Sequence, residues 1–110
     1  MGSLSSTNIP NNHKLYFSRS EFIKILNCYS LGVSNGNWKD YTLYFKKNEA
    51  VFSFYKHTLA SPDCILKKLR EKKKKRNLYH LFINKKNSKF EDIDKLISSI
   101  KSTQLIILKK

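Results

Sequence analysis

The spacing of apolar residues changes period twice along the chain, and each change marks an element. Phe22, Ile25, Leu26, Tyr29 and Val33 recur at helical spacing and make one apolar face. Ser18 followed by Glu21 has the capping-box pattern: the hydroxyl accepts from the amide three residues on, and the carboxylate accepts from the serine amide. Phe17 stands just ahead of this pair, and Asn35-Gly36 supplies residues that tolerate left-handed backbone at the far end. The pattern predicts a helix over about 18–34. Gly32 lies inside it, at a cost of about 1 kcal/mol in helix propensity.

From Trp38 the period falls to two. Tyr41, Leu43 and Phe45 alternate with Asp40, Thr42 and Tyr44, and Lys46 to Glu49 reads as a turn. Ala50 to Tyr55 follows, with Phe52 and Phe54 on one side, which completes a β-hairpin signature. Leu78 to Ile83 is a further strand, closed by a turn at Asn84 to Asn87. Helical spacing returns at Ile93, Leu96, Ile97 and Ile100, with Glu91 and Asp92 at the positive end of the helix dipole, so a second helix is expected over about 91–101. Leu105 to Leu108 is an apolar run expected to be a buried edge strand. Ser61 to Arg70 is open to two readings. Ser61 as N-cap, Pro62 in the first turn and Ile65, Leu66 and Leu69 on one face describe a helix, and a strand after a proline turn fits as well. Residues 1–13 are polar and aperiodic, so a disordered tail is expected ahead of one domain over 14–110.

Composition alters this picture through charge. Hydrophobic residues make up 40% of the chain, too many for wholesale disorder. Against 8 Asp and Glu stand 22 Lys and Arg, a net charge of +14 that favours polyanionic partners. Only Arg19, Arg70 and Arg76 are arginines, and the abundance of Lys, Asn and Ile is also what codon drift in an AT-rich genome produces. Clustering points the other way, because Lys67 to Arg76 holds every residue of a basic block except Leu69 and Glu71. The N-terminal residues lack the apolar core of a secretory signal, no run nears the roughly 18 apolar residues of a membrane span, and Cys28 and Cys64 are far apart. The expectation is a cytoplasmic protein with two free thiols.

The basic block is the strongest chemical signal. Lys67, Lys68, Arg70, Lys72, Lys73, Lys74, Lys75 and Arg76 are candidates for phosphate contact with RNA or DNA, with Arg19, Lys39 and Lys56 as extensions. Trp38, Asp40 and Tyr41 are candidates for a protein partner or a homodimer, together with an exposed sheet edge, although a Trp at a strand start commonly belongs to the core. Aromatic residues at period two, including Tyr44, Phe52, Phe54 and Tyr79, resemble a base-stacking sheet, but no aromatic and glycine-containing RNA motif accompanies them. His57, Asp63 and Cys64 lack the paired spacing of zinc ligands, the acids are scattered, and three glycines cannot build a phosphate-cradling loop. No metal, no cofactor and no catalysis are expected. Membrane binding is not expected either, because no helix pairs a lysine face with a bulky apolar one.

The elements Phe17-x-Arg19-x-Glu21-Phe22-x-x-Ile25-Leu26-x-x-Tyr29, Gly36-x-Trp38-Lys39-Asp40-Tyr41 and Ala50-Val51-Phe52-Ser53-Phe54 resemble a small bacterial family of unknown function, domain of unknown function 2794. The likeness runs from about Tyr16 to the C-terminus. In the family the segment matching Pro62 to Lys68 alternates like a strand and a basic loop precedes the residue matching Tyr79, so the resemblance implies a strand over Cys64 to Lys68; it brings no activity with it. This chain departs from the family in that loop, where Lys72 to Lys75 replace a mixed stretch, and in the more acidic start of the second helix. The expected architecture is α+β: an N-terminal helix, an antiparallel meander of about four strands, and a C-terminal helix packed on one sheet face.

Overall fold

The computed structural model describes residues 14–58 and 60–108. The tail expected at residues 1–13 lies outside them. Helix α1 covers Arg19–Ser34 and is opened by the capping box, in which Ser18 Oγ accepts from the Glu21 amide at 3.1 Å and Glu21 Oε1 accepts from the Ser18 amide at 2.7 Å. Phe17 and Phe22 flank the cap, and both rings lean on Phe52, with centroids 6.4 and 6.1 Å away. At the other end Asn35 is the C-cap and Gly36 takes φ +79°, the left-handed turn that releases the chain toward the sheet.

Five strands follow: β1 (Asp40–Phe45), β2 (Glu49–Tyr55), β3 (Cys64–Glu71), β4 (Arg76–Ile83) and β5 (Lys86–Phe90). They form one antiparallel meander in sequence order. Segment 61–70 is therefore a strand from Cys64 onward, as the family resemblance implied and against its local helix signals. β5 adds a strand to the expected set. Asn84 and Lys85, with φ +54° and +62°, make a two-residue hairpin loop that turns the chain into it.

Helix α2 (Ile93–Leu108) is the last element among the described residues. Asp92 caps it by accepting from the Asp94 amide at 2.9 Å. The edge strand expected at Leu105 to Leu108 is corrected by this: the backbone there continues α2. A short apolar run cannot by itself separate a strand from a buried helix segment. The two helices meet on one side of the sheet, with Lys24 and Asp94 paired at 2.7 Å between them.

Strand alternation then divides the sheet into two faces. On the helix-covered face the register aligns Phe52, Leu66 and Leu81, and beside them Phe54, Cys64 and Ile83, all buried. Ile25, Cys28, Leu96 and Ile100 pack onto this layer. Trp38 joins the same core at 2% exposure, its ring 5.4 Å from Phe54. Gly32 makes that possible, because a Cβ at its position would collide with the Trp38 indole and the Gln104 amide. The glycine that looked like a weak point in α1 is thus the seat of the tryptophan. Val33, placed on the apolar face by spacing, is exposed. The opposite face of the sheet carries no helix among the described residues.

Candidate nucleic-acid interface

The basic block is a β-hairpin rather than a loop, and the alternation of β3 sorts its residues. Lys72, Lys73, Lys74 and Lys75 form the turn between β3 and β4 and are exposed. Arg70 is exposed one position before the end of β3, and Asn48 of the β1–β2 turn accepts from its amide through its carbonyl. Arg76 is held by carboxylates: Nε is 2.7 Å from Glu71 and Nη1 is 3.3 Å from Glu91. Its charge is partly spent at the hairpin base, and the same contact holds the Glu71 carboxyl below its ordinary range.

Lys68 does not belong to a phosphate-binding surface. It faces the helices at 6% exposure, where Nζ donates to Glu21 Oε1 at 2.8 Å and to the Tyr16 carbonyl at 3.0 Å. The hydroxyl of Tyr79 donates to the other Glu21 oxygen. Burial pushes the Glu21 carboxyl up, but hydrogen bonds from Lys68, Tyr79 and Ser18 hold it below the usual range. Burial and the Glu21 contact push Tyr79 the other way, well above an ordinary phenol. The network joins the N-terminal segment, α1, β3 and β4.

Lys67, one residue earlier, faces away from the helices. The register places it in a row across the open face, Tyr44–Val51–Lys67–His80–Lys89. Beside that row runs Thr42–Ser53–Ile65–Phe82–Asn87. Between them is a groove of about 340 Å³ whose lining includes Ile65, Lys67, His80, Phe82 and Asn87. Burial and the neighbouring cations Lys89 and Lys67 lower the affinity of His80 for a proton. His80, Phe82 and Lys89 escaped sequence reading. The alternation of Leu78 to Ile83 was visible, but nothing in the chain said that His80 stands between two lysines from other strands.

The remaining candidates scatter. Lys39 precedes β1 and Lys56 follows β2, at the end of the sheet opposite the Lys72–Lys75 turn and about 25 Å away by strand length. Arg19 is exposed on the first turn of α1, on the helix side. Of the alternative partner-binding set, Trp38 is in the core. The Asp40 carboxylate accepts from the Tyr41 amide at 2.8 Å. Tyr41 is 41% exposed and packs edge-on against Tyr29, with centroids 5.1 Å apart. Phe52, Phe54 and Tyr79 are buried and offer no stacking surface. Both cysteines are free and buried; burial pushes the Cys28 thiol up to about 11 and Cys64 higher still. Among the described residues no three His, Cys, Asp or Glu side chains are gathered where they would hold a metal, and no helix is long and apolar enough to cross a membrane.

Two helices laid on one face of a five-stranded antiparallel meander, with the other face open and partly basic, define a two-layer α+β protein. The chain belongs to the family DUF2794, described as a protein of unknown function, whose match spans residues 15–89. That span takes in α1 and most of the sheet and stops short of α2. No curated protein and no solved structure matches the chain.

Proposed function

We propose that this is a non-enzymatic, cytoplasmic nucleic-acid-binding accessory protein of bacterial type, with the β3–β4 hairpin as its phosphate-contacting element. One observation carries the reading: Lys72, Lys73, Lys74 and Lys75 are exposed at a hairpin tip, and no carboxylate forms an ion pair with any of them among the described residues. Lysines held on a hairpin keep their charges close together at less entropic cost than lysines on a free loop. They neutralise phosphates and release condensed counterions. Fluorescence anisotropy with labelled RNA and DNA over a salt series tests the reading. Affinity should fall linearly on log–log axes, and reversing all four lysines to Glu should flatten the slope by roughly 0.7–0.9 for each lysine that engages a phosphate. Unchanged affinity in the reversed variant at low salt would overturn it.

A second reading rests on the outer edge of β1. That strand holds exposed Tyr41 and Tyr44 and has no Lys or Pro of the kind that guards natural sheet edges. Strand addition by a protein partner or by a second copy would use it. Sedimentation of the wild type against Tyr44→Lys tests the second copy; identical monomers would remove it.

A further inference from the structure

The open face joins two kinds of surface that rarely share a ligand. Lys67 and Lys89, with His80 between them, form a basic row across three strands, the outer two about 10 Å apart at the backbone. Ile65 and Phe82 give the adjacent groove an apolar wall, and Leu69 and Leu78 continue the apolar surface toward the hairpin. Tyr44, 45% exposed, extends the basic row at its β1 end, with Lys46 Nζ 5.4 Å over its ring. A second copy is a poor occupant, because packing two such faces together would set lysine rows of a +14 chain against each other. An aliphatic or acidic peptide would satisfy one half of the surface only. A duplex would offer phosphates to the lysines but keeps its base faces stacked away from the apolar wall. An unpaired nucleotide has an anionic linkage and a bare aromatic face side by side, and the groove volume is on the scale of one small ligand.

We propose that the open sheet face is a platform for single-stranded nucleic acid, with Lys67 and Lys89 on the phosphodiester backbone and a base seated in the groove against Phe82. The proposal rests on the nucleic-acid reading above and deepens it: the hairpin supplies charge, and the face supplies the preference for unpaired strands. His80 is the built-in reporter. The charged groups that face it are Lys67 from β3 and Lys89 from β5, and its same-face neighbours on β4 are Leu78 and Phe82. Phosphates held by the two lysines offset their repulsion of a proton at His80 and favour the imidazolium, so binding and protonation of His80 reinforce each other.

The test uses the full chain with a short labelled single-stranded RNA and its blunt duplex, by anisotropy. The single strand should bind more tightly than the duplex, and the double variant Lys67→Gln/Lys89→Gln should reduce its salt slope by about 1.4, at 0.7 per phosphate. Phe82→Leu should weaken the single strand about tenfold through lost stacking, with little change for the duplex. A readout on the wild type guards against misfolded variants. The NMR titration of His80 should move to higher pH when the single strand saturates the protein, and affinity should rise between pH 8 and pH 6. Equal binding of strand and duplex, with the groove variants unaffected and the four-lysine hairpin variant inactive, would overturn the platform and leave the nucleic-acid function standing. A His80 titration unmoved by saturating single strand would overturn it too. Absence of binding to either probe at low salt would remove the function itself and the platform with it.

Discussion

On β3, Lys68 points into the helix layer and Lys67 points away from it. The two residues have the same side chain, adjacent positions and the same basic run around them, yet their energetics differ in kind. Burying the Lys68 ammonium has a desolvation cost of several kcal/mol, which only close partners offset. Glu21 at 2.8 Å, the Tyr16 carbonyl at 3.0 Å and the Tyr79 bond to the same carboxylate supply them. Lys67 keeps part of its hydration, has no carboxylate partner among the described ion pairs and stands next to His80, with Lys89 beyond it in the same row. The comparison shows that net charge overstates what a basic protein can offer a polyanion. One lysine of the block is consumed in holding the fold and Arg76 is partly engaged by Glu71 and Glu91, so the fully available set is Lys67, Arg70 and the four turn lysines.

The largest effect should come from breaking the buried side of this pair. Lys68→Ala leaves the Glu21 carboxylate buried without its cation and should cost about 3–5 kcal/mol in urea unfolding. Lys67→Ala should stay within about 0.5 kcal/mol. Equal losses at the two positions would mean that the two faces do not differ as described. Replacing both Lys68 and Glu21 by apolar residues of similar volume should recover only part of the loss: it removes the unpaired buried charge, but it also takes the acceptor from the Ser18 amide and from the Tyr79 hydroxyl.

Next in size is Gly32→Ala. On helix propensity alone the change should stabilise by about 1 kcal/mol. The added methyl meets the Trp38 indole and the Gln104 amide, and forcing extra volume into a packed core costs about 1–3 kcal/mol, so the net change should be destabilising. Ser30→Ala, on the exposed side of the same helix, should show the propensity gain without the clash. A stabilised Gly32→Ala protein would mean that Trp38 is not seated against α1.

Acid should separate the two faces more gently. Glu21 has a folded pKa below its unfolded value, so its contribution is complete above about pH 4.5 and is lost as pH falls below that toward the folded value. Tyr79, an acid whose folded pKa is raised, contributes up to about pH 10 and loses that contribution as the unfolded phenol ionises at higher pH. Urea midpoints measured from pH 6 to pH 3 should fall less steeply for the Lys68→Ala variant than for the wild type, because its Glu21 loses the Lys68 contact that does most to depress its pKa.

How much of this was legible in the chain can be traced residue by residue. The capping box at Ser18 and Glu21, the Gly36 stop and the β1–β2 hairpin are local chemistry, and they were readable because the residues that decide them lie within four positions of each other. Glu21 also shows where that ends: the same carboxylate that caps α1 binds Lys68 and Tyr79, 47 and 58 residues away, and no local pattern announces the second role. Alternation dictates that Lys67 and Lys68 fall on opposite faces once β3 is a strand, but only the register with β2 and β4 says which one is buried. β5 escaped notice because Lys86–Phe90 is an edge strand with no apolar alternation to find, and its Lys86 and Lys89 suit an edge that must not aggregate. Of the candidate interface, the turn lysines were plain from composition, whereas the Lys67–His80–Lys89 row exists only through three strand registers.

The smallest prediction concerns the thiols, and it sharpens the contrast without disturbing the fold. Cys28 and Cys64 both lie on the covered side with no exposed surface, and burial raises both pKa values, so almost no thiolate is present at neutral pH. In native buffer neither should react with a chromogenic disulfide reagent except through transient opening, and both should be released together as urea unfolds the chain. A cysteine installed at Thr42, itself exposed on the outer strand of the open face, should react at once with the same reagent. Saturating single-stranded RNA should slow a cysteine installed at Asn87, in the groove, more than it slows the Thr42 site at the opposite edge of the sheet. Rapid native labelling of Cys64 would show that the helix layer opens far more readily than its packing implies. Protection of neither installed site would place bound nucleic acid on the hairpin alone.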